Sequence, residues 1–261
     1  MKLLKQTSIA ALLGMMALPS LTASAAPYSS TLYMPNSHGK SVTTPTAWGA
    51  SGNVGFVGLG GTYQSPYTDD ADGAAVFGVG LGDSKENLGV QIALISLDIS
   101  EWEEYSSAFH VFKELGDADA IGIGVENVML TDGGDSEKSF YVVYSRGVQN
   151  DWALNKNSNQ TKFHYSIGAG TSRFGDKSPA DIADGKGKHG TYVFGNVAYE
   201  IAEEFNVIAD WNGVNFNIGA SKSFIINNKI PVGVSVGLAD LTTNSGDGVR
   251  LVAGAGFGFK L

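Results

Sequence analysis

Apolar and polar side chains alternate along most of the chain, and the alternation is clearest between Gly248 and Leu261. A period of two residues is typical of a β-strand, because successive side chains of a strand point to opposite faces. The stretch is long enough for a tilted transmembrane strand, which needs roughly 9–11 residues. Its apolar face consists of Leu251, Ala253, Ala255, Phe257, Phe259 and Leu261, and its other face of Val252, Gly254, Gly256, Gly258 and Lys260.

Similar stretches of about ten alternating residues follow one another from residue 53 onward, separated by turns rich in Gly, Asp, Asn or Ser. We count about twelve of them, an even number, as single-chain membrane barrels require. The pattern predicts an all-β fold, an antiparallel up-and-down transmembrane β-barrel over residues 53–261 with its apolar face toward lipid. A soluble β-sandwich with the apolar face inside is the alternative that the period alone leaves open.

The turns between these stretches allow a prediction of topology. If both ends of the barrel are periplasmic, the loops after odd-numbered strands face outward and are on balance the longer ones. The dipeptide Asn212-Gly213 is the strongest hairpin signal in the chain and predicts a type I′ turn. In the sixth stretch, around Phe140 to Ser145, the pattern leaves open which face is the outer one.

The first 25 residues have the features of a secretory signal peptide. Lys2 and Lys5 precede an apolar run that is too short for a membrane helix, and Ala23-Ser24-Ala25 provides a small-residue cleavage site. Residues 26–52 are irregular, with three prolines, and could be a disordered leader, a periplasmic arm or a plug in the barrel. A partly ordered arm is favoured, because aromatic side chains such as Trp48 prefer burial.

Composition narrows the class of protein further. The chain has no cysteine, so an exported form must be stable without disulfides. Its formal charge of -9 argues against nucleic acid as a partner. Its 35 glycines far exceed the usual share of about 7%. Glycine within alternating strands indicates either close packing or an open lumen.

Together the signal peptide, the repeated alternation and the ending Gly256-Phe257-Gly258-Phe259-Lys260-Leu261 resemble bacterial outer-membrane β-barrel proteins. Such proteins usually end in an aromatic residue that the insertion machinery recognises, and here the chain ends in Leu261 with Phe259 before it. The resemblance implies a location in the outer membrane, with lipid as a partner and insertion through Phe257, Phe259 and Leu261. No nucleic acid and no cofactor are implied.

A narrower resemblance rests on four short phrases. They are similar to an uncharacterised family of Gly-rich exported proteins of cyanobacterial type, for which the resemblance implies fold and location but no activity. The phrases are Thr44-Pro45-Thr46-Ala47-Trp48-Gly49, Gly78-Val79-Gly80-Leu81-Gly82-Asp83, Val207-Ile208-Ala209-Asp210-Trp211 with Asn212-Gly213, and Gly246-Asp247-Gly248.

Charged residues inside the predicted strands are candidates for lining the lumen, where they would form a selectivity ring or simply hydrate the interior. These candidates are Glu126, Lys162, His164, Glu200 and Asp210. His164 and Ser166 also share one face, as a base and a nucleophile could. The pair resembles the His-x-Ser arrangement of outer-membrane phospholipases, but here it is expected to point inward, and ordinary lumen residues are the favoured interpretation.

Two acidic loops, residues 69–72 and 132–135, carry oxygens that suit calcium, but neither has the spacing of a calcium loop, so no metal site is predicted. The sequence therefore predicts a small passive, porin-like channel for an unknown solute, without catalytic residues. A non-conducting structural or surface-binding barrel is the alternative. A barrel hydrolase using His164 and Ser166 is the third.

Overall fold

The computed structural model describes residues 40–63, 72–98, 103–116, 118–131, 137–155, 161–226, 230–246 and 248–261. The predicted signal peptide, residues 26–39 of the predicted arm and the acidic stretches 69–71 and 132–135 lie outside these ranges. Twelve strands form the fold. They are β1 (Val54–Tyr63), β2 (Asp72–Gly82), β3 (Gly89–Asp98), β4 (Glu103–Glu114), β5 (Asp119–Met129), β6 (Ser139–Gly147), β7 (Phe163–Gly170), β8 (Val193–Ala202), β9 (Phe205–Trp211), β10 (Phe216–Ile226), β11 (Ile230–Ala239) and β12 (Arg250–Lys260).

Each strand pairs antiparallel with its neighbours in sequence, and β1 pairs with β12 to close the barrel. The predicted antiparallel up-and-down barrel of about twelve strands is thereby confirmed. We call the end with the β2–β3 and β8–β9 turns the even end, and the opposite end the odd end. The loop of residues 171–192 at the odd end contains a 3₁₀ turn (Ser172–Phe174) and a short helix, α1 (Pro179–Ala183). In the described ranges no helix is long and apolar enough to cross a membrane.

The outer face of the wall is apolar, and the side chains on it are exposed. Leu59, Ile123 and Ile201 are 57%, 57% and 58% exposed, whereas inward-facing Val54 is 1% exposed. A soluble sandwich would bury these apolar side chains between two sheets, so the closed barrel with its apolar face outside excludes that alternative. The sixth strand follows the same rule, with Phe140 outside and Val143 inside.

The β9–β10 connection differs from the predicted type I′ hairpin, and that prediction was wrong. Trp211 pairs with Phe216, so the loop has four residues instead of two. The Asn212 side chain accepts hydrogen bonds from the N–H groups of Val214 and Asn215, at 2.9 and 2.7 Å. The Asn212 N–H donates in turn to the Asn215 carbonyl at 3.0 Å, and within the loop only Gly213 has a positive φ, +101°.

Several inward-facing glycines make room for large neighbours. A Cβ at Gly78 would overlap the ring of Phe56, one at Gly89 the ring of Phe112, and one at Gly168 the ring of Phe194. Of the two interpretations of the glycine content, the structure supports close packing at these positions.

Candidate functional site: the lumen and the segment inside it

Residues 40–51, the inner segment, lie inside the barrel ahead of β1. Thr43, Thr44, Ala47 and Ala50 have no exposed surface. The segment starts at the even end, where Lys40 Nζ lies 2.6 Å from Asn206 Oδ1. It rises to Thr43 near the odd end and returns to the even end, where the Ser51 and Ser84 hydroxyls lie 3.1 Å apart. The inner segment therefore has the shape of a hairpin within the lumen, with its turn near Thr43.

Asp210 binds the turn of this hairpin. Its Oδ2 accepts hydrogen bonds from the N–H groups of Val42 and Thr43, at 2.9 and 2.7 Å, and from the Ser41 hydroxyl at 3.1 Å. Its Oδ1 accepts from the Thr43 hydroxyl at 3.2 Å and from Asn217 Nδ2 at 2.6 Å. Five donors thus surround a carboxylate that is only 2% exposed, which is how a buried charge is tolerated.

Neighbouring polar residues extend this contact along β8, β9 and β10. Asn196 Nδ2 donates to the Thr44 hydroxyl at 2.9 Å, and Asn217 Nδ2 to the Thr43 hydroxyl at 3.1 Å. We call Asn196, Asn206, Asp210 and Asn217 the polar sector of the lumen. Packing adds to these hydrogen bonds. The Val42 side chain lies against Gly219 and Gly237, where a Cβ atom would collide with it.

An aromatic sector adjoins the polar sector at β8. It comprises His110 and Phe112 of β4, Tyr141 of β6, Phe174 of the 171–192 loop and Phe194 of β8. Phe174 and Phe194 stack with centroids 4.4 Å apart, and His110 stacks on Phe112 at 5.3 Å. His110 Nε2 donates to the Ala47 carbonyl at 3.2 Å, so its Nδ1 accepts from the Tyr141 hydroxyl at 2.9 Å. The inner segment thus contacts both sectors.

An arginine of the odd-end loop, Arg173, contacts both the barrel wall and the inner segment. Arg173 forms a buried ion pair with Glu126, which has no exposed surface. Arg173 Nη1 also donates to the Thr43 carbonyl at 3.3 Å. Arg173 therefore joins the barrel wall, the odd-end loop and the top of the inner segment.

The odd-end loop is itself attached to the β11–β12 loop through Asp181. The carboxylate accepts from the Ser245 hydroxyl at 2.5 Å and from the Gly246 N–H at 3.0 Å, and it pairs with Lys186 at 2.9 Å. Burial alone would raise the pKa of Asp181, but the hydrogen bonds from Ser245, Lys186, Ser178 and Gly246 together hold that pKa below its usual value.

Four of the five residues predicted to line the lumen point inward and are buried, namely Glu126, His164, Glu200 and Asp210. Lys162 precedes β7 at the even end and is partly exposed, and its carbonyl accepts from the Glu200 N–H at 2.8 Å. The five do not form one ring, because Glu126 and Asp210 lie toward the odd end and the other three toward the even end. Their role in selectivity stays a prediction.

His164 and Ser166 both point into the lumen, as expected, and both have structural partners. The His164 imidazole lies 2.5 Å from the Thr161 hydroxyl, and the Ser166 hydroxyl lies 2.7 Å from that of Ser145, which accepts from the Ala47 N–H at 2.8 Å. His164 is 1% and Ser166 5% exposed. A lipid substrate outside the wall has no access to either side chain in this conformation.

Sequence reasoning missed Arg173 and all inner-segment contacts except the expected burial of Trp48. Arg173 lies in a loop, where no periodicity marks a side chain as inward. The inner segment carries one weak signal, which is the run of small hydroxyl residues Ser41, Thr43 and Thr44 beside Lys40. Such side chains suit hydrogen bonds to a polar wall.

Comparisons with known proteins give matches to solved structures only. No family model and no curated protein matches it, so the resemblance to Gly-rich exported proteins gains no support. Among solved structures it is similar to the KdgM porin, with 10% identity over 79% of this chain and 99% of that one and a TM-score of 0.46. It is also similar to the NanC porin, with 12% identity over 78% of this chain and 100% of that one and a TM-score of 0.45. For outer membrane phospholipase A from Escherichia coli, the identity is 9% over 80% of this chain and 96% of that one, and the TM-score is 0.45. At such values the likeness adds nothing to the barrel described above.

Proposed function

We propose that the protein is a porin-like barrel of the outer membrane, and that the inner segment is a removable plug in its passive channel. The exposed apolar belt supports the location, because a wall with side chains such as Ile123 and Ile201 on its outside needs lipid as its solvent. The predicted signal peptide agrees with export to that membrane. The even end then faces the periplasm, with the 171–192 loop outside.

One observation carries the channel proposal. The inner segment is attached to the β8–β10 wall by hydrogen bonds to hydrophilic side chains, chiefly Asp210, Asn196 and Asn217. Water can replace each of these hydrogen bonds if the segment withdraws, because the wall groups are polar and would be hydrated. The same contact also buries Val42 against Ala198 and Ile208, so withdrawal exposes some apolar surface as well. The polar sector thus suits a lumen that is closed now and water-filled after withdrawal.

Dense packing on one part of the lumen wall favours the second candidate, a non-conducting barrel with a structural or surface-binding role. The aromatic sector supports it, since Phe112, Phe174 and Phe194 are buried and stack with their neighbours. The hydrolase interpretation has less support, because the Ser166 hydroxyl pairs with Ser145 and is buried. A Ser166→Ala variant that retains any esterase activity of the preparation would exclude it.

Removal of residues 26–51 separates a plugged channel from a filled barrel. The chain that lacks residues 26–51 and the full chain would each be refolded and inserted into planar bilayers. Faster migration of the unboiled sample on SDS gels would verify that each barrel is folded. A plug predicts stable conductance steps for the deleted chain and brief or absent steps for the full one. A folded deletion that stays silent would establish the non-conducting barrel.

A reversible lock tests the same point in the full chain. Thr44 and Asn196 contact each other at 2.9 Å, and the absence of native cysteines makes a Thr44→Cys/Asn196→Cys pair specific. Oxidation, verified by loss of free thiols, is expected to abolish openings, and reduction to restore them. Each single cysteine variant is the matched control and should not respond to oxidant.

Phe257 and Phe259 project outward from β12 beside the closing β1–β12 seam, each 42% exposed, and Leu261 is 62% exposed. Recognition of these three by the barrel-insertion machinery is part of the proposal, supported by their exposure at the chain end. A Phe257→Ser/Phe259→Ser chain that still reaches the outer membrane at the normal level would exclude it.

A further inference from the structure

We infer that Asp210 makes the opened lumen selective for cations, including small solutes that carry an ammonium group. The inference rests on the proposed function, since Asp210 can contact a solute only after the inner segment withdraws. It assigns to one carboxylate of β9 the choice between cations and anions.

The partners of Asp210 support this role. Four of its five hydrogen bonds come from the inner segment, from the N–H groups of Val42 and Thr43 and the hydroxyls of Ser41 and Thr43. The fifth comes from Asn217, which is neutral. Within the described ranges no lysine or arginine forms an ion pair with Asp210. Withdrawal of the segment would therefore leave a negative charge without a counter-charge on the wall.

The other deep carboxylates of the lumen differ in this respect. Glu126 pairs with Arg173 of the odd-end loop, and Asp240 pairs with Arg250 of β12 at 2.6 Å. Both cations belong to the barrel and its loops, so they remain in place when the segment leaves. Glu200 lies at the even end, opposite Lys162 in the ladder. Glu200 also loses the nearby Lys40 ammonium when the segment leaves, but it lies at the even-end mouth. Asp210 is the carboxylate toward the odd end whose compensation is lost on opening.

The inner segment also shows which chemistry this wall accepts. It presents the Lys40 ammonium to Asn206 Oδ1 at 2.6 Å, with Glu200 and Glu204 nearby. Nearer the odd end, the segment presents N–H groups and hydroxyls to Asp210. The wall therefore receives positive charge and hydrogen-bond donors along one line from the even end to Asp210. A cation with its hydration shell, or an alkylammonium, offers the same kind of groups.

Reversal potentials of the chain that lacks residues 26–51, measured in a potassium chloride gradient, test the inference. We expect potassium to be preferred over chloride by at least about fivefold, because attraction of the cation at contact distance in water gives that factor and repulsion of the anion increases it. Asp210→Asn in the same background should lower the ratio severalfold, and Asp210→Lys should lower it further. Glu86→Gln removes the same charge from an exposed turn at the even end and is the matched control.

Each outcome separates the inference from the proposed function. A folded deletion without conductance contradicts the channel itself. A conducting deletion that prefers chloride, or one whose potassium preference is not lowered by Asp210→Asn, overturns the role of Asp210 and leaves the channel standing. If Asp210→Asn does not fold, the ratio of the parent deletion and added methylammonium decide: chloride preference, or no methylammonium current, overturns the inference.

Discussion

The two sectors of the lumen contain side chains of similar burial but opposite character. In the aromatic sector, Phe174 and Phe194 stack at 4.4 Å and contact other rings. In the polar sector, Asn196, Asp210 and Asn217 form hydrogen bonds to a segment that is not part of the wall. An apolar contact that breaks leaves surface that water solvates poorly, whereas a broken polar contact is replaced by water.

We expect the aromatic sector to contribute chiefly to the stability of the barrel and the polar sector to the movement of the inner segment. The aromatic sector joins β4, β6 and β8 to the odd-end loop through ring contacts that do not involve the inner segment. The polar sector is where the proposed opening would begin, since water can replace its hydrogen bonds. The apolar contacts of Val42 with the wall add to the cost of that opening. Substitutions in the two sectors should therefore have different kinds of effect.

Phe194→Ala should have the largest effect, and it acts on stability. Removing a ring that is 1% exposed is expected to lower the free energy of unfolding by about 3–5 kcal/mol, through lost burial and the cavity that remains. Urea unfolding in detergent micelles measures this. Phe140→Ala, which removes an outward ring that is 55% exposed, is the control and should cost far less. Equal costs would contradict the assignment of the aromatic sector as the core.

Asp210→Asn in the full chain should act on the inner segment instead. Hydrogen bonds to a charged group are worth about 1.5–3 kcal/mol, so losing the charge should raise the open fraction of the segment roughly tenfold. Trypsin cleavage after Lys40, which is 7% exposed, reports that fraction by mass spectrometry. The heat-modified gel shift should stay unchanged. Faster cleavage at all lysines would instead indicate general unfolding.

Gly237→Val should displace the same segment by steric means. A Cβ at Gly237 would lie 2.7 Å from Val42 Cγ1, and overpacking of this kind costs about 1–3 kcal/mol. We expect more cleavage after Lys40 and more frequent channel openings than in the parent. Gly116→Val, at a turn with free space around it, is the control. An unchanged cleavage rate at Gly237→Val would mean that Val42 does not hold the segment.

Acid should have the smallest effect, and it is confined to the odd-end loop. The pKa of Asp181 is lowered in the folded state, so its contribution to loop attachment is complete above the ordinary value of 3.8 and is lost as the pH falls below it. Hydrogen exchange of residues 171–192 should therefore be constant from pH 7 to about 5 after correction for intrinsic rates, and faster in acid. Asp181→Asn should remove that acid dependence. If it persists, another group controls the loop.

The sequence predicts the outside of this protein better than the inside. Lipid accepts any apolar side chain, so alternation alone identifies Leu59, Ile123 or Phe257 as outward. Inside, each contact depends on a particular partner far along the chain, such as Val42 with Asp210, 168 positions away. Arg173 and Glu126 meet across 47 positions from a loop without periodicity. Such pairs follow from the closed barrel, which has to be known first.

The hairpin shape of the inner segment has a topological consequence. Lys40 and Ser51 both lie at the even end, and Thr43 is the highest point between them. A strand that passed through the barrel from one mouth to the other could leave only by threading its terminus through the pore. A hairpin can withdraw and return through the mouth by which it came, even after the β1–β12 seam has closed. For a plug of this shape, the proposed withdrawal and return do not require the seam to be open, so they could be repeated after the barrel has closed.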